Sequence, residues 1–289
     1  MHQLRVQTNA SAVERVEELL FNCGAVSISY QDAENQPILE PPIGDHPLWS
    51  SLFIQAQFLS EDEISLASKA LLHEEDVGSQ IVLEQIQNDG WQEKFQQQFS
   101  AMQFGPLWIY PSWEENPTPN GICLQLDPGL AFGTGHHATT HLCLDWLSRT
   151  DLKNLEVIDF GCGSGILTLS ASVLGAKHVY AVDIDPQAVT ATNQNIKRNQ
   201  LQANTFTIGD INILENINAD VLVANILKGP LMTLKDTLAK HIKSNGLLLV
   251  SGILNSQVDS LIQHYSTEFI HLDTNCREDW SSILFKARQ

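Results

Sequence analysis

Apolar and polar positions change period several times along this chain, and each change marks an element. Leu4 and Val6 alternate with polar residues, which predicts a strand over 2–7. Val13, Val16, Leu19 and Leu20 then recur at helical spacing. Ser11 and Glu14 stand in the S-x-x-E order of a capping box ahead of that helix, and Gly24 is placed to end it. Alternation returns over Ala25–Tyr30 and again over Leu52–Phe58, with a polar loop carrying Pro37, Pro41, Pro42 and Pro47 between them. Ser60 and Glu63 repeat the capping-box spacing and open a helix to about Leu72, and Gln80–Ile86 closes the region as a strand. The order β-α-β-β-α-β is that of a ferredoxin-like α+β unit, with both helices on one sheet face and the other face open to a partner.

A different pattern follows. Trp91, Phe95 and Phe99 recur at four-residue steps in a glutamine-rich stretch, which predicts an amphipathic helix packed on a neighbouring domain. From Phe104 onward, strands are expected at Leu107–Tyr110, Ile122–Leu126, Val157–Asp159, His178–Asp183, Thr205–Ile208, Val221–Asn225, Leu247–Ile253 and Ser282–Lys286, with helices between most of them. Such alternation predicts an α/β fold, a parallel sheet doubly wound by helices. Near-continuous apolar runs such as Val221-Leu-Val-Ala fit strands covered on both faces. The chain thus divides into a small domain over 1–86, a helical linker over 87–103 and an α/β domain over 104–289.

Composition narrows the function. With 289 residues, 43% of them hydrophobic, the chain can fill two cores. It has neither an unbroken apolar run of membrane-spanning length nor an apolar leader after Met1, so no membrane association is expected. Cys23, Cys123, Cys143, Cys162 and Cys276 are dispersed and odd in number, which suits a reducing cytoplasm. The net charge is −18, and residues 1–86 carry −11 of it on 14 acids and 3 basic residues. An acidic first third repels phosphate backbones and attracts basic partners, so no direct nucleic-acid binding is expected. The plain alternative is a solvated surface with acids in helix first turns.

The candidate chemistry centres on Val157–Asp185. A buried strand runs into Gly161, Gly163 and Gly165, a helix follows, and a second strand ends at Asp183, 22 residues after the first glycine. Glycines let the backbone approach a nucleoside, and an acid at the next strand end accepts both ribose hydroxyls. A dinucleotide fingerprint needs its third glycine at position 166, where this chain has Ile166. The turn therefore favours S-adenosylmethionine over a nicotinamide dinucleotide. The alternative reading of Asp183 is a simple helix-entry acid. Asp210, after the next strand, is placed either to hold the adenine amino group or to serve as a turn residue. Cys162 lies between glycines with no histidine in sequence to activate it and is expected to be inert.

Two further segments point to the same crevice. Leu126–Thr140 is a glycine-rich loop feeding a helix from Thr140, the arrangement of an anion site for a methionine carboxylate, with Thr140 adding a hydroxyl. The rival reading is metal, because His137 and His141 stand at i, i+4, but Ala138 occupies the place of the glutamate that pattern needs. Asn225 ends a strand whose tip faces the ligand crevice, where its amide oxygen can accept from an incoming amine and align it for transfer; alternatively it caps the next segment. An amine pocket is expected near Phe132, Asn225 and Leu227.

In combination these motifs resemble the bacterial ribosomal protein L11 methyltransferase family: Leu126–Thr140, the Val157–Gly165 turn, Asp183-Ile-Asp-Pro, Val223-Ala-Asn-Ile-Leu and Ser251-Gly-Ile-Leu. Pro111-Ser-Trp and the acidic N-terminal region extend the resemblance over essentially the whole chain. It implies a seven-stranded Rossmann-like methyltransferase sheet and transfer of methyl groups from S-adenosylmethionine to lysine side chains and the N-terminal amine of that basic ribosomal protein, free or on the ribosome. It implies cofactor contacts at Thr140, Gly161, Asp183 and Asn225, with Gly163 and Gly165 completing the turn, and a substrate-recognising N-terminal domain. Where many amine methyltransferases follow the strand-end Asn with Pro-Pro and an aromatic, this chain has Ile226, Leu227 and Lys228. Rival readings are a nucleic-acid methyltransferase on the same fold, a cofactor-binding module without chemistry, and a nicotinamide oxidoreductase.

Overall fold

Short-range signals set the first unit. In the computed structural model, which describes residues 2–34, 47–72, 74, 77–85, 99–127 and 135–289, the chain divides into two compact units, Met1–Gln92 and Glu93–Gln289. The first holds β1 (His2–Asn9), α1 (Val13–Asn22), β2 (Ser27–Asp32), β3 (Ser51–Phe58), α2 (Glu61–Leu71) and β4 (Val77–Gln85). Its antiparallel sheet has the order β2-β3-β1-β4, the ferredoxin-like arrangement. Leu4 and Val6 of β1 and Leu52, Ile54 and Phe58 of β3 face a core completed by Val13, Val16 and Leu20 of α1 and Ile64, Ala67 and Leu71 of α2. The opposite face is polar, carrying Gln3, Gln7, Gln55 and Gln57, with Arg5 lying 3.8 Å over the Phe53 ring.

The two capping boxes differ in outcome. At α2, Glu63 N–H donates to Ser60 Oγ at 3.3 Å and Ser60 N–H to Glu63 Oε2 at 3.0 Å, as the spacing requires. At α1 the box does not form. Asn9 Oδ1 instead accepts the N–H groups of Ser11 and Ala12 and the Ser11 hydroxyl. An asparagine two residues upstream offers a local Asx turn, which takes the serine before it can cap. Gly24, at φ +98°, ends α1 in a Schellman turn, its N–H on Phe21 O and that of Ala25 on Leu20 O.

The second unit opens with a small sheet of β5 (Met102–Phe104), β6 (Leu107–Tyr110) and β7 (Ile122–Gln125). Of the expected connector, residues 87–98 lie outside the described residues, and Met102 and Gln103 belong to β5. The main elements follow: α3 (Ala138–Arg149), β8 (Glu156–Phe160), α4 (Ile166–Val173), β9 (His178–Val182), α5 (Pro186–Arg198), β10 (Phe206–Gly209), β11 (Ala219–Asn225), α6 (Lys228–Lys240), β12 (Ile242–Leu254), α7 (Val258–Tyr265), β13 (Phe269–Arg277) and β14 (Trp280–Ala287). The seven-stranded sheet has the order β10-β9-β8-β11-β12-β14-β13, parallel except that β14 runs antiparallel between β12 and β13. Leu144 and Leu147 of α3, Leu169 of α4 and Ile196 of α5 cover Val157, Val179 and Val223 on one face. Leu231 and Leu238 of α6 and Leu261 and Tyr265 of α7 cover Ile158, Leu222 and Leu248 on the other.

Two details depart from the sequence reading. The strands at Leu107–Tyr110 and Ile122–Gln125 form the separate small sheet and stand outside the main one. Strand β13 was not expected, because it is an edge strand whose only buried residue is Phe269, so it carries no apolar alternation. Between β10 and β11 the chain makes only a short 3-10 turn, Ile211–Leu214.

Candidate active site

The carboxyl edge of the large sheet carries the candidate residues in spatial order. Asp210 follows β10, Asp183 follows β9, Gly161 follows β8 and Asn225 ends β11; Gly252 lies near the end of β12 and Trp280 begins the antiparallel β14. From β9 to β14 is four strand steps, roughly 19 Å at the usual inter-strand spacing. Asp183, Gly161, Gly163 and Asn225 line one cavity of about 1000 Å³, together with His137, Ile184, Asp210, Ile211, Leu227 and Trp280. That is at the upper end of small-molecule sites and leaves room for an acceptor side chain beside a nucleoside cofactor.

The glycine turn needs its glycines. Gly161, Gly163 and Gly165 have φ of +83°, +53° and +80°, a region that side chains with a Cβ avoid. A Cβ on Gly161 would stand 2.5 Å from Ile226 Cγ2, and one on Gly165 2.7 Å from Thr192 Cγ2. Gly165 sits at the N-cap of α4, behind the cavity wall.

Asp183 fastens this turn. Its Oδ2 accepts from Gly163 N–H at 2.9 Å and its Oδ1 from Asp185 N–H at 2.9 Å. A carboxylate oxygen has two lone pairs, so each retains capacity for a ribose hydroxyl. Beside it Ile184 is 96% exposed, and Ile211 is exposed next to Asp210. Two bare isoleucines at a cavity rim suit a flat heteroaromatic base, a signal available in sequence only as the residues following the two acids. Asp210 Oδ1 caps the 3-10 turn through Asn212 N–H at 2.9 Å, so it is a turn residue that also lines the cavity.

Asn225 is positioned by three neighbours. Its Nδ2 donates to Thr140 Oγ1 at 3.3 Å, while Oδ1 is buried and accepts from no group among the described residues. Thr140 is fully buried and touches the site through this bond. The next residue, Ile226, is wedged between Gly161 and Gly252; a Cβ on Gly252, at φ +88°, would collide with the Ile226 carbonyl oxygen. The two glycines therefore hold the strand end that carries the amide.

His137 and Trp280 form a wall that sequence reasoning missed as a pair. Their rings meet edge to face with centroids 4.9 Å apart. Burial holds the His137 imidazole below its ordinary pKa, opposed by a weaker pull from Glu278. His141 points elsewhere, packing on Phe104 at 4.9 Å, so the i, i+4 pair does not converge. Of the glycine-rich loop, residues 128–134, including Phe132, lie outside the described residues.

Two buried acids of different kinds lie in the turn and beneath it. Burial pushes the Cys162 thiol up to about 12, which removes it as a nucleophile. Burial likewise raises the Asp159 carboxyl to about 6. Its Oδ2 accepts from Thr168 Oγ1, and its Oδ1 has no partner among the described residues.

This geometry fits S-adenosylmethionine: a glycine cradle, carboxylate capacity for a ribose, apolar flanks for a base, and, at the end of β11, an amide oxygen with no partner among the described residues. Comparison with known proteins agrees. A model of the family described as "Ribosomal protein L11 methyltransferase" matches residues 1–288. A curated protein of that name from Shewanella sp. (strain ANA-3) is 42% identical over 289 residues, 99% of each chain. One from Legionella pneumophila (strain Lens) is 42% identical over 277 residues, 96% of this chain and 95% of the relative. The crystal structure of a ribosomal protein L11 methylase from Lactobacillus delbrueckii subsp. bulgaricus superposes with a TM-score of 0.59 at 30% identity, covering 66% of this chain and 100% of that one.

Proposed function

The chain belongs to the ribosomal protein L11 methyltransferase family, and from that premise we propose how its residues perform the transfer. The enzyme moves methyl groups from S-adenosylmethionine to ribosomal protein L11. The acceptors in this reading are lysine side chains and the N-terminal amine. The observation that carries it is the Asn225 amide, tied through Nδ2 to Thr140 and presenting a buried, unpartnered Oδ1 beside the cavity.

The bound cofactor supplies a sulfonium methyl already activated for attack. The protein's task is to place a neutral amine in line with it. Gly161 and Gly163 would admit the methionine part, Asp183 would take the ribose hydroxyls, and Asp210, with the exposed Ile184 and Ile211, would hold the adenine. Asn225 Oδ1 accepts one N–H of the acceptor amine and aims its lone pair at the methyl carbon. Near pH 7, stripping the proton from lysine costs about 4–5 kcal/mol and from an α-amine about 1 kcal/mol. Apolar walls at Leu227 and Pro230 lower the ammonium pKa by desolvation, and the proton leaves to water. A neutral His137 adds no positive charge beside the sulfonium or the incoming ammonium.

Residues 1–86, with a net charge of −11, recruit the basic substrate. No helix among the described residues is long and apolar enough to cross a membrane, and the reading places the enzyme in the cytoplasm with its substrate. Mass spectrometry of L11 after incubation with enzyme and cofactor tests the reading. A gain of one CH₂ in mass per transfer, as a methyl replaces a hydrogen, is expected, and an unmodified protein refutes it. The same assay on residues 93–289 should give weak methylation; undiminished activity would remove the recruiting role.

A further inference from the structure

The end of the cavity farthest from the ribose acid has an unusual lining. Asp183 and Asp210 lie on β9 and β10, while the far end is formed by His137, Thr139, Asn225, Gly252 and Trp280. Among the described residues, no carboxylate of the cavity wall lies on β11, β12 or β14. Yet this end must hold a cation. In each transfer the amine nitrogen would give its lone pair to the methyl carbon as the carbon–sulfur bond breaks, and the pair of that broken bond would stay on sulfur, leaving a thioether. What remains beside Asn225 is an alkylammonium, which loses a proton before it can accept another methyl. Every methyl group also removes an N–H, so Asn225 Oδ1 has progressively less to bind, and a trimethylated nitrogen offers it nothing.

Among the described residues that line this end, the indole of Trp280 is a group with affinity for a poorly hydrated cation. Trp280 is fixed for that role. Its backbone pairs with Leu254 on β12 and Arg277 on β13, so the residue is anchored from both sides at the mouth. Its ring meets that of His137, itself the N-cap of α3, edge to face. It supplies from the antiparallel strand the aromatic that the segment after Asn225 lacks.

We propose that Trp280, braced by His137, recognises the methylated acceptor nitrogen through its indole face and thereby sets how many methyl groups one nitrogen receives before release. The inference rests on the methyl-transfer reading above and goes beyond it in naming the residue that takes over from Asn225 as N–H groups are lost. It makes Trp280 a specificity residue for mono- and dimethylated intermediates, with little part in binding the cofactor.

Two measurements test it. Trp280→Leu should bind S-adenosylmethionine in calorimetry within about two-fold of the natural protein, yet release mono- and dimethylated L11, whereas Trp280→Phe should restore the fully methylated product. A Leu variant that gives the natural product distribution overturns the proposal. The second measurement needs neither the variant nor turnover. With S-adenosylhomocysteine present, tetramethylammonium chloride should bind the natural protein roughly 2- to 30-fold more tightly than tert-butanol, its uncharged isostere, with sodium chloride as the ionic control. Equal binding of the two overturns the proposal even if the Leu variant does not fold. Failure of the natural enzyme to methylate L11, with the cation preference intact, would instead sink the methyl-transfer reading and leave the cation site standing.

Discussion

Replacing Asp159 with Asn should stabilise this protein, and increasingly so as pH rises. Asp159 lies in β8, 1% exposed, with Thr168 donating to one oxygen and nothing described donating to the other. Burial lifts its carboxyl from 3.8 to about 6. A raised acid pKa means that the folded state favours the proton. The group's contribution is then fully present below the unfolded pKa and is lost as pH climbs through about 4 to 6. The full loss is about 3 kcal/mol, from roughly two units at 1.36 kcal/mol each. Asn removes the charge but leaves an amide N–H unpaired, which returns about 1–2 kcal/mol. The variant should therefore be about 1–2 kcal/mol more stable near pH 8, and about 1–1.5 kcal/mol of that advantage should vanish by pH 5. Urea unfolding of both proteins at the two pH values measures this, and taking the difference cancels every other titrating group. Parallel stability curves would refute the reasoning, because they would mean that Asp159 is ionised at no net cost, with a donor the geometry does not show.

The other expectations concern the site. Asp183→Ala should weaken S-adenosylmethionine binding by about 1–3 kcal/mol, or roughly 5- to 150-fold in calorimetry, and unchanged affinity would mean the ribose is held elsewhere. The same variant should also lower the melting temperature, since Gly163 and Asp185 lose their acceptor. Gly252→Ala should reduce kcat more than cofactor affinity, because its Cβ displaces Ile226 and with it Asn225; equal losses in both would assign the glycine to the fold alone. The rate of lysine methylation should climb with pH well above 7, following loss of the ammonium proton, and a flat profile with chemistry rate-limiting would speak against proton loss to water.

Much of the site was legible because its residues announce themselves locally. A turn with three glycines at positive φ admits no other residue, so Gly161, Gly163 and Gly165 stand out in any reading. Asp183 and Asn225 were legible as polar residues ending apolar runs, since a strand buried on both faces leaves only its tip for chemistry. The capping box of α2 was legible for the same reason, whereas the one at α1 failed because Asn9, outside the motif, competed for the same N–H groups. Asp159 carries no signal at all: an aspartate inside a strand pattern reads as a face, and only packing shows it enclosed.

What the sequence determined alone, then, was everything fixed by neighbours a few residues apart: the periods that set helices and strands, the backbone freedom of the turn, and the acids at strand ends. The tertiary structure decided which of those ends share a crevice. Trp280 meets His137 only because β14 inserts antiparallel between β12 and β13 and so begins where the parallel strands finish. Strand order is set by long-range burial summed over the whole sheet, and no local pattern around position 280 encodes it.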